Sequence, residues 1–285
     1  MKCCFSLKAL FSASLNYPVI QVQTSAGTTT QNFYGDYTGT SLTTSPNGAG
    51  TSYAAWASTN GTGYITIWYD QSYYVNGSGV QNNATASGTQ RPYMNTGTTP
   101  WSVDFSGSSS VYMNLVSGTV PMNGSYTFCF KASSTGTSGS PGLIGAGNNA
   151  GNQCNNFRYY SGYPSSGYWN YWYGNDAGVV LSSGTVPNPT TVSAISYVTG
   201  SAPTTTTGVY SSGGNTSTSY TLSGYINGSS ATINGSNPRS GWQGVSGNDV
   251  LGKTTADSNL QGQMFFGICS SQAVSTNDRV IMETA

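Results

Sequence analysis

Short runs of β-branched and aromatic residues, each closed by Gly, Asn, Ser or Pro, recur along the whole chain, and apolar residues almost never fall at helical spacing. Residues 18–23 (PVIQVQ) alternate as a half-buried strand does, and residues 24–30 supply the turn after it. Residues 64–69 (YITIWY) are β-branched and aromatic, which predicts a core strand. Further strands are predicted at 102–105, 126–131, 192–198, 207–210, 219–226, 231–233 and 263–269. Between the fifth and sixth of these, Asn227-Gly228 is the dipeptide that supplies the positive φ angles of a tight hairpin. Helical spacing is met only at 5–11, one short helix, and at 277–282, a last turn. The Gly-, Ser- and Thr-rich stretches 38–52 and 133–142 read as loops. The expectation is an all-β sandwich or jelly roll with at most one or two short helices. A chain of 285 residues falls within the range in which such a sandwich runs as one domain, here 1–285.

Only 6% of the residues are charged, eight basic and eight acidic, and there is no histidine. Twenty-one tyrosines rule out a disordered reading, which needs few aromatics and high net charge. Without net charge or a basic cluster, the long-range field that draws proteins to phosphate backbones or anionic lipid is missing. Neither nucleic acid nor membrane insertion is therefore expected. The lack of histidine removes the commonest general base and metal ligand. Cys3, Cys4, Cys129, Cys154 and Cys269 show no C-x-x-C spacing, so neither a metal nor any other cofactor is expected. An odd number of cysteines leaves at least one thiol free or paired between chains, and adjacent Cys3 and Cys4 read as two reduced thiols.

Residues 12–14 (SAS) offer a small-residue cleavage site, but Lys8 interrupts the apolar run and residues 5–15 read as part of the folded domain. The expectation is an uncleaved chain. Seven N-x-[ST] sequons, at Asn60, Asn76, Asn83, Asn123, Asn215, Asn227 and Asn234, are the glycosylation candidates.

Glycoside hydrolysis ordinarily needs two carboxyl groups about 5–9.5 Å apart, one protonated and one ionised. The acids are Asp36, Asp70, Asp104, Asp176, Asp249, Asp257, Asp278 and a single glutamate, Glu283, two residues from the end, where fraying is expected. No pair stands out. Asp70 directly follows a strand, where catalytic groups are often presented, but an aspartate there also caps a turn through the backbone two residues on. The turn role is preferred. Asp257-Ser258-Asn259-Leu260-Gln261 is the nearest approach to a calcium loop and reads as a solvated loop.

The most unusual stretch is 157–173, with nine aromatics in seventeen positions. Alternation sends Tyr168 and Trp172 to one sheet face and Trp169, Tyr171 and Tyr173 to the other. These five are the candidates for sugar binding or a subunit interface, with core packing the third reading.

Residues 6–11, 18–25 and 63–72, the last ending in Trp68-Tyr69-Asp70-Gln71-Ser72, together with 82–85 and 90–92, resemble the arabinofuranosidase B-type sandwich of glycoside hydrolase family 54. Similar segments occur in lectin-like proteins of phages and large DNA viruses. Residues 225–228, 251–252 and 266–268, followed by 273–279, resemble the ending of concanavalin A-like and laminin G-like sandwiches. The resemblance implies a concanavalin A-like β-sandwich. It also implies a glutamate nucleophile and an aspartate acid, and no internal glutamate is present for the first role.

Low charge, abundant tyrosine and this missing glutamate together predict a non-enzymatic structural protein. The expected role is a lectin-like coat, capsid-associated or fibre subunit in a virion or other extracellular surface assembly. Its partners would be copies of itself, other coat subunits, and glycans that it contacts or carries. The alternatives are a secreted arabinofuranosidase-like hydrolase using two aspartates, Asp70 among them, and a soluble carbohydrate-binding lectin.

Overall fold

The computed structural model describes residues 2–72, 81–108, 110–120, 127–134, 141–148, 249–254, 259–272 and 274–284, and strand segments at 153–160, 168–173, 177–182, 193–199, 222–227 and 229–234. In chain order the strands begin with β1 (Cys3–Ser6), β2 (Ile20–Gln23), β3 (Thr30–Gly35), β4 (Leu42–Thr43), β5 (Tyr64–Trp68), β6 (Ala84–Thr85) and β7 (Tyr93–Asn95). They continue with β8 (Ser102–Asp104), β9 (Met113–Asn114), β10 (Thr127–Ser134), β11 (Gly142–Asn148), β12 (Gln153–Tyr160) and β13 (Tyr168–Tyr173). The last are β14 (Ala177–Ser182), β15 (Ser193–Thr199), β16 (Leu222–Ile226), β17 (Ser229–Asn234), β18 (Val250–Leu251) and β19 (Gly262–Ser270). Two α-helices lie among the described residues, α1 (Tyr53–Asn60) and α2 (Thr276–Thr284), and neither is long and apolar enough to cross a membrane.

Every pairing between these strands is antiparallel, and the ladder closes on itself. From β19 it runs through β10, β15, β16, β17, β14, β13, β12, β11, β18, β9, β6 and β5, then back through β7 and β8 to β19. A curled sheet of this kind covers its strand edges and encloses a two-layered core, the all-β sandwich expected. β1 lies beside the second half of β19, and β2, β3 and β4 extend outward from β5.

The predicted strands at 18–23, 64–69, 102–105, 126–131, 192–198, 219–226, 231–233 and 263–269 all fall on observed strands. The predicted strand at 207–210 lies outside the described residues. The 227–228 hairpin is as expected: Ile226 pairs with Ser229, and Asn227 has φ 49°. Much of the loop predicted at 38–52 remains irregular, but Leu42 and Thr43 pair with Tyr34 and Gly35, and Ser133 and Ser134 complete β10.

Two segments differ from expectation. Residues 5–11 do not form a helix; Cys3–Ser6 is a strand, completely buried because β19 takes one edge and the 70–71 segment the other. Neighbours on both edges override the apolar spacing. Conversely, Tyr53–Asn60 is a helix. The Ser52 hydroxyl accepts from the Ala55 N–H, and Tyr53 and Trp56, three apart, pack edge-on against Phe33. Eight residues are too few for the period to show.

The main core gathers Phe5, Val19, Ile20, Phe33, Trp68, Val103, Phe105, Phe128, Phe130 and Leu251 between the layers. A second cluster, Cys4, Cys129, Phe266, Ile268 and Met282, lies on the other face of β1, β19 and β10, beneath α2. Period-two alternation makes this division: Cys3 is in register with Cys269, and Cys4 with Ile268, so adjacent cysteines enter different clusters. Cys3, Cys4, Cys129 and Cys269 are all free thiols, and burial holds Cys3, Cys4 and Cys129 well above their ordinary pKa.

Candidate functional site

The most conspicuous motif proves to be a clamp. Trp68 ends β5 inside the core, Tyr69 turns its hydroxyl to Asn32, and Asp70 and Gln71 face the amino-terminal segment of the chain. Asp70 Oδ1 accepts from the N–H groups of Cys4 and Ser72, both at 2.9 Å, while Oδ2 faces the Asn82 N–H at 3.3 Å. Gln71 Nε2 donates to the carbonyls of Ser6 and Lys8, its Oε1 accepts from the Leu10 N–H, and its own N–H donates to the Cys4 carbonyl. Asn83 Oδ1 in turn accepts from the Asp70 N–H. Asp70 is 1% exposed; burial raises its pKa, and its hydrogen bonds pull it partly back. The turn role expected of Asp70 is confirmed by the Ser72 bond, and its carboxylate is spent on backbone donors rather than held open to a substrate. Asn83 is committed to the same clamp.

A second carboxyl differs. Asp249 immediately precedes β18, which pairs with β9 and β11. Its carbonyl accepts from the Leu115 N–H at 2.8 Å, and Oδ2 accepts from the Val120 N–H at 2.9 Å. Burial pushes its pKa up to about 6, while the N–H groups of Val120, Gly118 and Thr119 oppose the rise. Oδ1 is buried and has no hydrogen-bond partner among the described residues. A carboxyl with a pKa near 6 changes its proton close to neutral pH; like Asp70, Asp249 is 1% exposed, and what sets it apart is its pKa of about 6 and the buried oxygen without a partner among the described residues.

The other described acids are committed. Asp36 caps its own turn through Thr38 and Gly39, Asp104 accepts from Ser106, and Asp278 accepts from Ser275 at the start of α2. Glu283, expected to fray, is instead buried: Arg279 Nη1 donates to its Oε1 at 2.6 Å, and the guanidinium lies 3.6 Å from the centre of the Tyr225 ring. Met282, beside the pair, is buried in the second cluster. Asp176 and Asp257 lie outside the described residues. The loop that most resembled a calcium site is corrected at Asn259, which is fully buried and donates to the carbonyls of Phe105 and Ser108.

The aromatic stretch forms β12 and β13, the centre of the β11–β14 series. Register sets Trp169 opposite Tyr159 and Tyr171 opposite Phe157. The side chains of Tyr168, Trp169, Tyr171, Trp172 and Tyr173 lie outside the described residues. Of the sequons, Asn60 donates its side-chain amide to the Trp56 carbonyl, and Asn227 is exposed at its hairpin tip. Asn234 lies on β17; Asn76, Asn123 and Asn215 lie outside the described residues.

No protein-family model matches the chain, and no match to it was found among curated proteins. Solved structures do match. An arabinofuranosidase complexed with arabinofuranosyl-α-1,2-xylobiose superposes on 99% of this chain with a TM-score of 0.57 at 17% identity. A glutamate-to-glutamine mutant of a family 54 α-L-arabinofuranosidase, soaked with 4-nitrophenyl α-L-arabinofuranoside, does so with a TM-score of 0.56 at 16% identity. The same family's enzyme soaked with a cyclic sulfate inhibitor gives 0.55 at 17%. The chain spans 61–62% of the length of these proteins. These three solved structures, which match across 99% of this chain, are arabinofuranosidases, which overturns the expectation of a non-enzymatic coat, capsid or filament subunit. The chain has the antiparallel β-sandwich fold of the family 54 arabinofuranosidases.

Proposed function

We propose that this chain is an arabinofuranosidase-like glycoside hydrolase, a single secreted sandwich acting on arabinofuranosyl groups of a larger glycan, with Asp249 as its proton donor. The observation that carries the reading is Asp249 itself: a buried carboxyl with a pKa of about 6 and one oxygen that has no partner among the described residues, in a fold shared with a solved arabinofuranosidase. Elimination supports the choice, since each other described acid is bound to a turn, a backbone clamp or a cation. A donor of this kind protonates the glycosidic oxygen as the bond to the leaving group breaks. The partner carboxylate is assigned to Asp176 or Asp257, the two acids outside the described residues. The aromatic residues Trp169, Tyr171 and Tyr173 of β13 are the proposed sugar platform, because ring faces stack on the C–H faces of sugars.

Incubating the full chain with arabinofuranosyl-α-1,2-xylobiose and following the anomeric protons by NMR tests this reading. Free arabinose is the expected product. Intact trisaccharide after prolonged incubation with folded protein would remove it.

A further inference from the structure

Cys3 on β1 and Cys269 on β19 are partners in an antiparallel register, and both are fully buried in the main core. Residues directly opposite in such a ladder send their side chains to one face. Their Cα atoms stand about 4.5–5.5 Å apart, inside the span of about 4.4–6.8 Å that a disulfide bridges. Opposed Cβ atoms are about 4.5–5.5 Å apart and a disulfide draws them to about 3.8 Å, so a shift of roughly 1 Å closes the gap. β1 is joined to one strand, β19, and to the clamp of Asp70 and Gln71, so that shift does not carry a second strand with it. Burial first, and then the nearby Cys269 thiol, raise the Cys3 pKa.

Among the described residues no other pair of cysteines meets these limits. Cys3 and Cys4 are neighbours on an extended strand, which sends their side chains into different clusters. Cys4 and Cys129 share the second cluster, but each is opposite Ile268 from its own side of β19. Two strand spacings, about 9.5 Å, separate them, beyond the roughly 7 Å at which bridging fails. On β10 the position opposite Cys269 is taken by Phe128. Cys154 lies on β12, which pairs with β11 and β13.

We propose that Cys3 and Cys269 are a disulfide-forming pair, joined by exchange with a small disulfide, oxidised glutathione, as the chain folds. The thiolate of one cysteine attacks a glutathione sulfur and releases one glutathione. The second thiolate then attacks the protein sulfur of the mixed disulfide and releases the other. The protein gives up two protons and two electrons, and both are recovered in the two reduced glutathiones. In the folded chain the two sulfurs are out of solvent, so the bond is made before β1 is seated and is shielded from reductants afterwards. It closes nearly the whole sequence into one ring and fastens β1 covalently where Asp70 and Gln71 hold it by hydrogen bonds. The inference goes beyond the hydrolase reading and does not depend on turnover.

The test is to refold the full chain in a glutathione redox buffer, and in parallel in dithiothreitol. Remaining thiols are then blocked with N-ethylmaleimide in denaturant, and the peptides are mapped by mass spectrometry. The expected result is a peptide joining Cys3 to Cys269, with maleimide on Cys4 and Cys129. Before blocking, the oxidised chain should melt at least about 5 °C above the reduced one, because a bond that closes so long a loop restricts the unfolded chain most. Cys269→Ala should lose the joined peptide and bring the two melting temperatures together, whereas Cys4→Ala should keep both. Maleimide or glutathione on both Cys3 and Cys269 of the oxidised parent chain would overturn the proposal and leave the two thiols as core packing. So would a bond from either of them to Cys4, Cys129 or Cys154 in its place. An oxidised chain that melts no higher than the reduced one would overturn it as well, since the bond would then strain the sheet rather than fasten it. The mapping uses the parent chain, so it decides the matter even where a variant fails to fold.

Discussion

At the scale of single residues, the polar side chains buried in this molecule act mainly as fasteners for backbone. Gln71 satisfies two carbonyls and one N–H of residues 6–10, none of which has a strand partner on that side. Gln71→Ala leaves the buried Ser6 carbonyl without its partner, at about 1–3 kcal/mol, and gives up the bonds to the half-buried Lys8 carbonyl and Leu10 N–H. The expected outcome is a loss of about 1–3 kcal/mol in denaturant unfolding, with the amide protons of residues 3–10 losing hydrogen-exchange protection first. Asp249 makes a different prediction. Its folded pKa of about 6 lies above the ordinary 3.8, so the folded state binds the extra proton. Its contribution to stability is fully present below pH 4 and is lost as pH rises through 6. Asp249→Asn, neutral at every pH, should flatten the fall in Tm between pH 4 and 6; an unchanged slope would place the Asp249 pKa near its ordinary value. The sequence marks Asp70 by its place after a strand, and its turn role could be read there. What Asp249 does could not be read, because its environment is made by residues 115–120, more than a hundred positions away.

At the scale of elements, alternation and turn chemistry were legible wherever a strand's surroundings were ordinary. Residues 64–68 and 263–269 are strands in sequence and in structure, and Asn227 takes the left-handed conformation its hairpin needs. The failures fall where tertiary contact decides. Cys3–Ser6 is a strand because β19 and the 70–71 clamp hold both its edges, a contact that spans the whole chain. The helix Tyr53–Asn60 rests on one cap and two aromatic anchors. Helix α2 carries its own test. Arg279 and Glu283 are buried as a pair, so removing one partner leaves the other's charge in a dry site, at a cost of about 3–5 kcal/mol. Glu283→Ala is therefore expected to destabilise by that order and to loosen α2 from β10 and β15, seen as faster exchange of the 279–282 amides. Exchange as slow as in the parent chain would mean that Met282 and its apolar neighbours hold the helix alone.

Across the whole molecule, sparse charge and a closed antiparallel ladder are two sides of one design. Arg91 ties the 24–25 turn to the 88–91 segment, Asp70 ties the amino-terminal strand, Asp249 the 118–120 loop, and Arg279 with Glu283 the last helix. Charge is used at the joints, while neutral polar groups dress the surface. Low charge, abundant tyrosine and the missing internal glutamate together point to an assembling coat subunit, and the fold likeness corrects that. The same composition serves a sandwich whose loops are pinned from within.

The central claim is that Asp249 donates a proton to a departing sugar oxygen, and leaving-group dependence tests it most directly. The rates to compare are those of the parent chain and Asp249→Asn on arabinofuranosyl-α-1,2-xylobiose and on 4-nitrophenyl α-L-arabinofuranoside, across pH 4 to 8. A sugar alkoxide needs protonation to leave, whereas 4-nitrophenolate does not. The account predicts a loss of about a hundredfold or more on the trisaccharide, a much smaller loss on the aryl glycoside, and a parent rate that falls as pH rises through about 6. Equal losses on both substrates, or a parent chain that turns over neither, would contradict it.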